Sequence, residues 1–298
     1  NKFDKQLVLN SLEQNVVTNW DTWGKFQQNW TNSAYKTFYD LDKYIVIMYL
    51  AGKYWQNLSS KFQYISMDEF YDTKRIEIER INLIQISTDL NITKETIRRK
   101  INELQKKNIL VRDGKSIIFN KHGINFQKPN DTIELLSAFI EKKSKILAGN
   151  EWFGDHIPKE IIKMFIKKYF TIVWLRFFKL QIPFLIRHRE VFRDLETWIV
   201  WGNIALSHQY HLYKALKENL INENLNYENY YTNVQSVKII RGINASSISD
   251  ISNIPRATVI RKLKWLARQE IIKKDKNLEY TMRTKGKLNK KINSNFKL

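Results

Sequence analysis

The sequence predicts a mainly α-helical fold with small β-hairpin wings, in which one helix-turn-helix-plus-hairpin unit occurs twice in a pseudo-two-fold helical architecture. Three observations predict it: a gapless internal repeat, helical apolar spacing within the repeat, and a turn dipeptide after its longest helix. Residues 81–113 read INLIQISTDLNITKETIRRKINELQKKNILVRD, and residues 243–275 read INASSISDISNIPRATVIRKLKWLARQEIIKKD. At a constant offset of 162 they share Ile81/Ile243, Asn82/Asn244, Ile86/Ile248, Ser87/Ser249, Asn91/Asn253 and Ile92/Ile254. The identities continue through Thr96/Thr258, Arg99/Arg261, Lys100/Lys262, Leu104/Leu266, Ile109/Ile271 and Asp113/Asp275.

Each element follows from local chemistry. Ile97, Ile101 and Leu104, like Val259, Leu263 and Leu266, fall at i, i+4 and i+7, which gathers them on one helix face. Thr93 suits the N-cap of the first such helix, and Pro255 pre-sets φ where the second begins. A short helix around Ile86–Leu90 and a tight turn at Asn91-Ile92 complete a helix-turn-helix. Beyond it, Ile109-Leu110-Val111 and Ile117-Ile118-Phe119 flank Asp113-Gly114, a hairpin signal. A helix-turn-helix followed by a hairpin is a winged helix, and the sequence holds two.

The repeat extends upstream. Trp20, Trp23, Phe26 and Trp30 mark residues 1–37 as a helix with an aromatic core face, and 38–62 as a second, buried helix. A polar, acidic patch follows at 67–72, and 131–147 reads as an amphipathic helix around Ile133, Leu136, Phe139 and Ile140. After breaks at Gly149-Asn150 and Gly154-Asp155 the pattern restarts at an offset of 154: Trp20/Trp174, Trp23/Phe177, Trp30/Phe184, Phe38/Phe192, Asp40/Asp194, Leu41/Leu195, Ile45/Ile199 and Leu58/Leu212. The second half therefore holds eight extra residues between about 213 and 242, where 222–233 reads as an Asn- and Tyr-rich loop. The expected partition is 1–75, helices of the first repeat; 76–128, first winged helix; 129–157, connecting helix and linker; 158–235, helices of the second repeat; and 236–298, second winged helix with a basic tail. Two copies in one chain amount to a fused pseudo-dimer whose aromatic helices join the halves and offer a surface for further homodimerisation.

Composition narrows the partner. With 298 residues and 43% apolar side chains, the chain can bury a core of one large or two ordinary domains. Its net charge of +20 and pI near 9.8 favour a polyanion, either nucleic acid or an anionic membrane face. The Lys, Asn and Ile richness also fits an AT-rich coding bias, so the location of the cations matters more than their sum. Absent cysteine excludes disulfides, thiolate metal sites and cysteine nucleophiles. The N-terminal residues lack the apolar core of a signal peptide. The apolar stretch 161–186 carries Lys163, Lys167, Lys168, Arg176 and Lys179, which a spanning helix would not. A soluble, cytoplasmic, nucleoid-associated chain without a membrane partner is expected.

In a helix-turn-helix the second helix enters the major groove, while wing and helix termini touch phosphates. Stepping about 100° per residue from Ile97 places Glu95, Arg98, Arg99 and Asn102 outward, and Ala257, Ile260, Arg261 and Lys264 in the second copy. Arginine suits guanine, glutamate accepts from cytosine, and alanine or isoleucine can meet a thymine methyl. Thr258 joins this candidate DNA-binding set. Lys94, Lys100, Lys106, Lys107, Arg256, Lys262 and Arg268 suit phosphates, as do Arg112, Lys115, Lys274 and Lys276 in the wings. The tail RTKGKLNKKINSNFKL has six cations and no acid, and reads as an arm tracking phosphates or the minor groove.

The run Ile254-Pro255-Arg256-Ala257-Thr258-Val259-Ile260-Arg261-Lys262-Leu263 resembles the recognition helix of winged-helix bacterial regulators of the MarR and GntR type. The first copy departs with Thr93-Lys94-Glu95, and the second with Ile260 where a third cation is common. The resemblance implies transcriptional control of duplex DNA, with RNA polymerase or a small-molecule effector as further candidate partners. No cofactor or enzymatic activity is expected. Asp113-Gly114-Lys115-Ser116 lacks the upstream glycine of a phosphate loop, and His208 with His211 lacks a third metal ligand. Two other functions stay open: a plasmid- or phage-type replication initiator with paired winged helices, and a winged-helix protein-interaction scaffold.

Overall fold

The computed structural model describes residues 5–14, 16–73, 75–78, 82–120, 128–148, 154–220, 241–283 and 292. Ile81, Gly149-Asn150, Glu151, the loop expected at 222–233 and, Ile292 apart, the tail after Arg283 lie outside them. The chain runs α1 (Lys5–Gln14), α2 (Val16–Phe38), α3 (Leu41–Ser60), α4 (Met67–Asp72), β1 (Ile76–Ile78), α5 (Leu83–Leu90), α6 (Lys94–Lys106), β2 (Leu110–Asp113), β3 (Ser116–Phe119) and α7 (Asn130–Leu147). It continues with α8 (Lys159–Lys168), α9 (Phe170–Phe192), α10 (Leu195–Lys217), α11 (Ala245–Ser252), α12 (Arg256–Arg268), β4 (Ile272–Lys274) and β5 (Tyr280–Met282).

Helix ends follow side-chain chemistry. The Asp40 and Asp194 carboxylates accept from first-turn N–H groups and start α3 and α10. Tyr39 and Arg193, with φ of 53° and 70°, stop the helices before them. Asn91 and Asn253 take the left-handed conformation that ends α5 and α11. Ser66 and Glu69 form a reciprocal capping box, so the acidic stretch after α3 is a short helix rather than a polar patch. Asn82 caps α5 through the N–H groups of Ile84 and Gln85, which starts it earlier than Ile86. The first hairpin gains an unexpected third strand, giving the order β1-β3-β2, with Ile76 and Leu110 both opposite Phe119.

One compact unit comprises Asp40–Glu134 and Glu160–Arg187. Here α3 buries Leu41, Ile45, Val46, Met48 and Leu50, and the Trp55 indole lies 5.1 Å from Phe178, 5.7 Å from Phe70 and 6.3 Å from Phe170. Offset and edge contacts of this kind add to area burial. The winged helix closes over Ile86, Leu90, Ile97, Ile101, Leu104, Ile117 and Phe119, and the Tyr49 hydroxyl donates to Asp89 at 2.5 Å, tying α3 to α5.

The other unit comprises Asn1–Tyr39, Leu135–Lys159 and His188–Leu298. In it α2 packs along α10, and α10 packs on α11, α12 and β5. Gly202 lets the helices approach: a Cβ there would sit 1.6 Å from Gln28 Nε2, a side chain itself only 4% exposed. Phe26 stacks on Phe139 at 5.6 Å, and Phe192 meets Trp201 at 5.0 Å. Each unit thus combines the winged helix of one half of the sequence with an aromatic helix of the other half. The units cut across the linear partition because rings of α9 meet Trp55 of α3, while rings of α2 meet Phe139 of α7 and α2 packs along α10.

His208 on α10 is 5% exposed, and neither ring nitrogen has a hydrogen-bond partner among the described residues. Burial, then the nearby His211 and Lys273, push its pKa down to about 4. An unfolded imidazole titrates near 6.5, so between pH ~6.5 and ~4 only the unfolded chain gains the proton, and stability falls by up to about 3 kcal/mol. Urea unfolding should show a smaller acid-induced loss for His208→Gln than for the parent. Equal losses would place the acid sensitivity elsewhere.

Candidate nucleic-acid interface

Both helix-turn-helix turns are tied by one hydroxyl. Ser87 Oγ donates to the Ile92 carbonyl at 2.6 Å, and Ser249 Oγ to the Ile254 carbonyl at 2.7 Å. With Ile92 and Ile254 buried beneath, the turn fixes where each second helix starts. Thr93 caps α6 through the Thr96 N–H, while Pro255 occupies the N-cap of α12 with no side-chain cap bond.

The outer faces differ. On α6, Lys94, Glu95, Arg98, Arg99 and Asn102 are exposed. Arg98 pairs with Glu95 at 2.9 Å, whereas Arg99 only approaches Glu103 at 3.9 Å. Lys43 holds Glu103 at 2.7 Å and lowers its pKa below the ordinary range. On α12, Arg256, Ala257, Arg261 and Lys264 are exposed, and Thr258 and Ile260 are half-buried. Its five cations share the helix with no acid. The wing residues Arg112, Lys115, Lys274 and Lys276 are exposed, as are Lys106, Lys107 and Arg268. Gly114, at φ 58°, makes the first hairpin turn, where Arg75 neutralises Asp113 at 2.7 Å.

Two residues of the sequence-derived phosphate set point inward. Lys100 pairs with Asp40, and Lys262 with Asp194 at 2.6 Å and with Glu196 at 3.5 Å. Their side chains are 11% and 12% exposed. The reason is azimuth: each lies three residues after a core residue, Ile97 or Val259, and so about 60° from the buried axis. Each aspartate divides its oxygens. Asp40 Oδ1 caps α3 through the Asp42 and Lys43 N–H groups while Oδ2 takes Lys100; Asp194 Oδ1 caps α10 through Thr197 while Oδ2 takes Lys262. Neither aspartate stood out by type, although both are among the identities at the offset of 154. His208 and His211 gather no third ligand: among the described residues no cluster of three or more potential ligands could hold a metal.

A family model for a DeoR-like helix-turn-helix domain matches residues 78–118, from the last residue of β1 into β3. This stretch is a helix-turn-helix of the kind found in DNA-binding transcription regulators. The match falls on the first winged helix, whereas the MarR- and GntR-type resemblance rests mainly on residues of the second. No curated protein and no solved structure matches the chain.

Replacing Asp40 with alanine removes a helix cap and strands the largely buried Lys100, whereas replacing Asp194 removes the cap and leaves Lys262 with Glu196 alone. Because both aspartates keep some solvent contact, each variant should lose about 1–3 kcal/mol in urea unfolding. An unchanged midpoint in both would show that the pairing is incidental.

Proposed function

We propose that the chain is a transcription regulator that binds duplex DNA as a single-chain pseudo-dimer, formed by internal duplication. In this reading α6 and α12 enter successive major grooves about 34 Å apart. The observation that carries it is the recurrence, in each half, of an exposed arginine beside a lysine locked inward onto a helix-capping aspartate: Arg99 with Lys100 and Asp40, Arg261 with Lys262 and Asp194. Positive-φ residues break helices at matching positions, Tyr39 and Arg193 before the caps, Asn91 and Asn253 in the turns, which supports the duplication.

Arg99 and Arg261 read bases, with Glu95 and Asn102 beside the first and Ala257 and Thr258 beside the second. Lys94, Arg112, Lys115, Arg256, Lys264, Lys274 and Lys276 hold phosphates. Arg98, already paired to Glu95, contributes once that pair opens. Because α6 carries acids and α12 carries none, the half-sites are unlike, and the second winged helix supplies more of the salt-dependent affinity.

The test is a selection from random duplexes followed by anisotropy titrations. Arg99→Glu and Arg261→Glu should each weaken the selected site by roughly 10- to 100-fold while affecting unrelated duplexes much less. Removing residues 283–298 should weaken all duplexes alike and lower the salt slope by a few units. Recovery of only single-stranded or structured RNA ligands would contradict the proposal.

A further inference from the structure

Helix α8, KEIIKMFIKK, is apolar on two sides. Ile162 and Ile166 turn into the core at 6% and 1% exposure, yet Ile161, Met164 and Phe165 stand in solvent at 51%, 64% and 56%. The same unit adds aromatic rings from the turn after α3. Phe165 lies 4.7 Å from Tyr169, which lies 5.4 Å from Tyr64, itself 56% exposed. Hydrogen bonds between Ile65 and Thr171, at 3.1 and 3.4 Å, pin this turn to the start of α9. At its tip Phe62 is 94% exposed on a left-handed backbone, φ 55°. The exposed apolar side chains of α8 and of the turn are thus linked through the Phe165, Tyr169 and Tyr64 rings, and exposed apolar groups of this number are seldom left uncovered.

The border of this surface is cationic. Lys61 and Lys168 are exposed, and Lys168 lies 5.3 Å over the Tyr169 ring. The one acid of α8, Glu160, faces Lys163 at 3.4 Å, and Lys163 meets Glu134 at 3.0 Å as well. A second copy would set lysines against lysines, and duplex DNA takes single apolar wedges or methyl contacts rather than a patch of this extent. A layer with an apolar interior and anionic headgroups satisfies both parts, and needs no preformed cavity for Phe62.

We propose that α8 and the turn at residues 61–64 form a peripheral anchor that lies in the interface of an anionic membrane. The expectation of no membrane partner rested on the lack of a spanning helix. Among the described residues no single helix is long and apolar enough to cross a bilayer, but an interfacial helix does not need to cross one.

The test uses the full chain in co-sedimentation with vesicles of phosphatidylcholine, with and without phosphatidylglycerol. Binding is expected only with phosphatidylglycerol. The triple variant Phe62→Ser, Met164→Gln, Phe165→Gln changes no charge and should reduce that binding by roughly tenfold or more while leaving duplex binding intact. Arg261→Glu should keep most of the vesicle binding. The proposal is overturned if neither vesicle is bound, or if the triple variant binds as tightly as the parent, which would indicate general cationic adsorption. It is also overturned if the triple variant converts an oligomeric parent to a monomer without vesicles, because the patch would then be covered by a second copy.

Discussion

A carboxylate at the start of a core helix holds each recognition helix at one rotation. One oxygen of Asp40 or Asp194 satisfies N–H groups that helix geometry leaves without partners, and the other receives a lysine from the recognition helix. The positive end of the helix dipole favours the aspartate charge, and the lysine, itself largely buried, neutralises it. Such a pair adds modest net stability but penalises any other arrangement heavily. Since the arginine precedes the lysine by one residue, fixing Lys100 or Lys262 inward turns Arg99 or Arg261 outward by about 100°. The partners are 60 residues apart in the first pair and 68 in the second.

The packing that surrounds these pairs is shared between distant parts of the sequence. The first winged helix sits in a unit completed by most of α9, and the second in a unit completed by α2. A winged helix alone is a thin core, and the apolar faces of α3 and α10 cover the first and the second. The α2–α10 contact also buries Gln28, Thr31 and Asn203, whose amide donates to the Ile199 carbonyl at 2.9 Å.

Elements with strong periodicity or caps were legible in the sequence: Ile97-Ile101-Leu104 and Val259-Leu263-Leu266 gave both recognition helices, Thr93 its cap, and Asp113-Gly114 the hairpin turn. The outward face of α6 was legible too, because one buried residue fixes the azimuth of the rest. What escaped was long-range. Strand β1 is three residues long and takes its identity from pairing with β3. Lys100 and Lys262 resemble any surface lysine until an aspartate 60 or 68 residues away is placed beside them. The grouping of most of α9 with the first winged helix and of α2 with the second left no local trace, since an aromatic face does not name its partner. The exposed side of α8 was hidden for a related reason: KEIIKMFIKK reads as an ordinary amphipathic core helix, and only the burial of Ile162 and Ile166 leaves Ile161, Met164 and Phe165 without cover.

The proposal that α6 and α12 act together on one duplex is tested most directly by hydroxyl-radical footprinting of the full chain on its selected site. Two protected tracts of different sequence, centred about one helical turn apart, are expected, both lost together as salt rises. A single tract, or two identical tracts that appear only when two chains bind, would contradict a clamp built within one polypeptide.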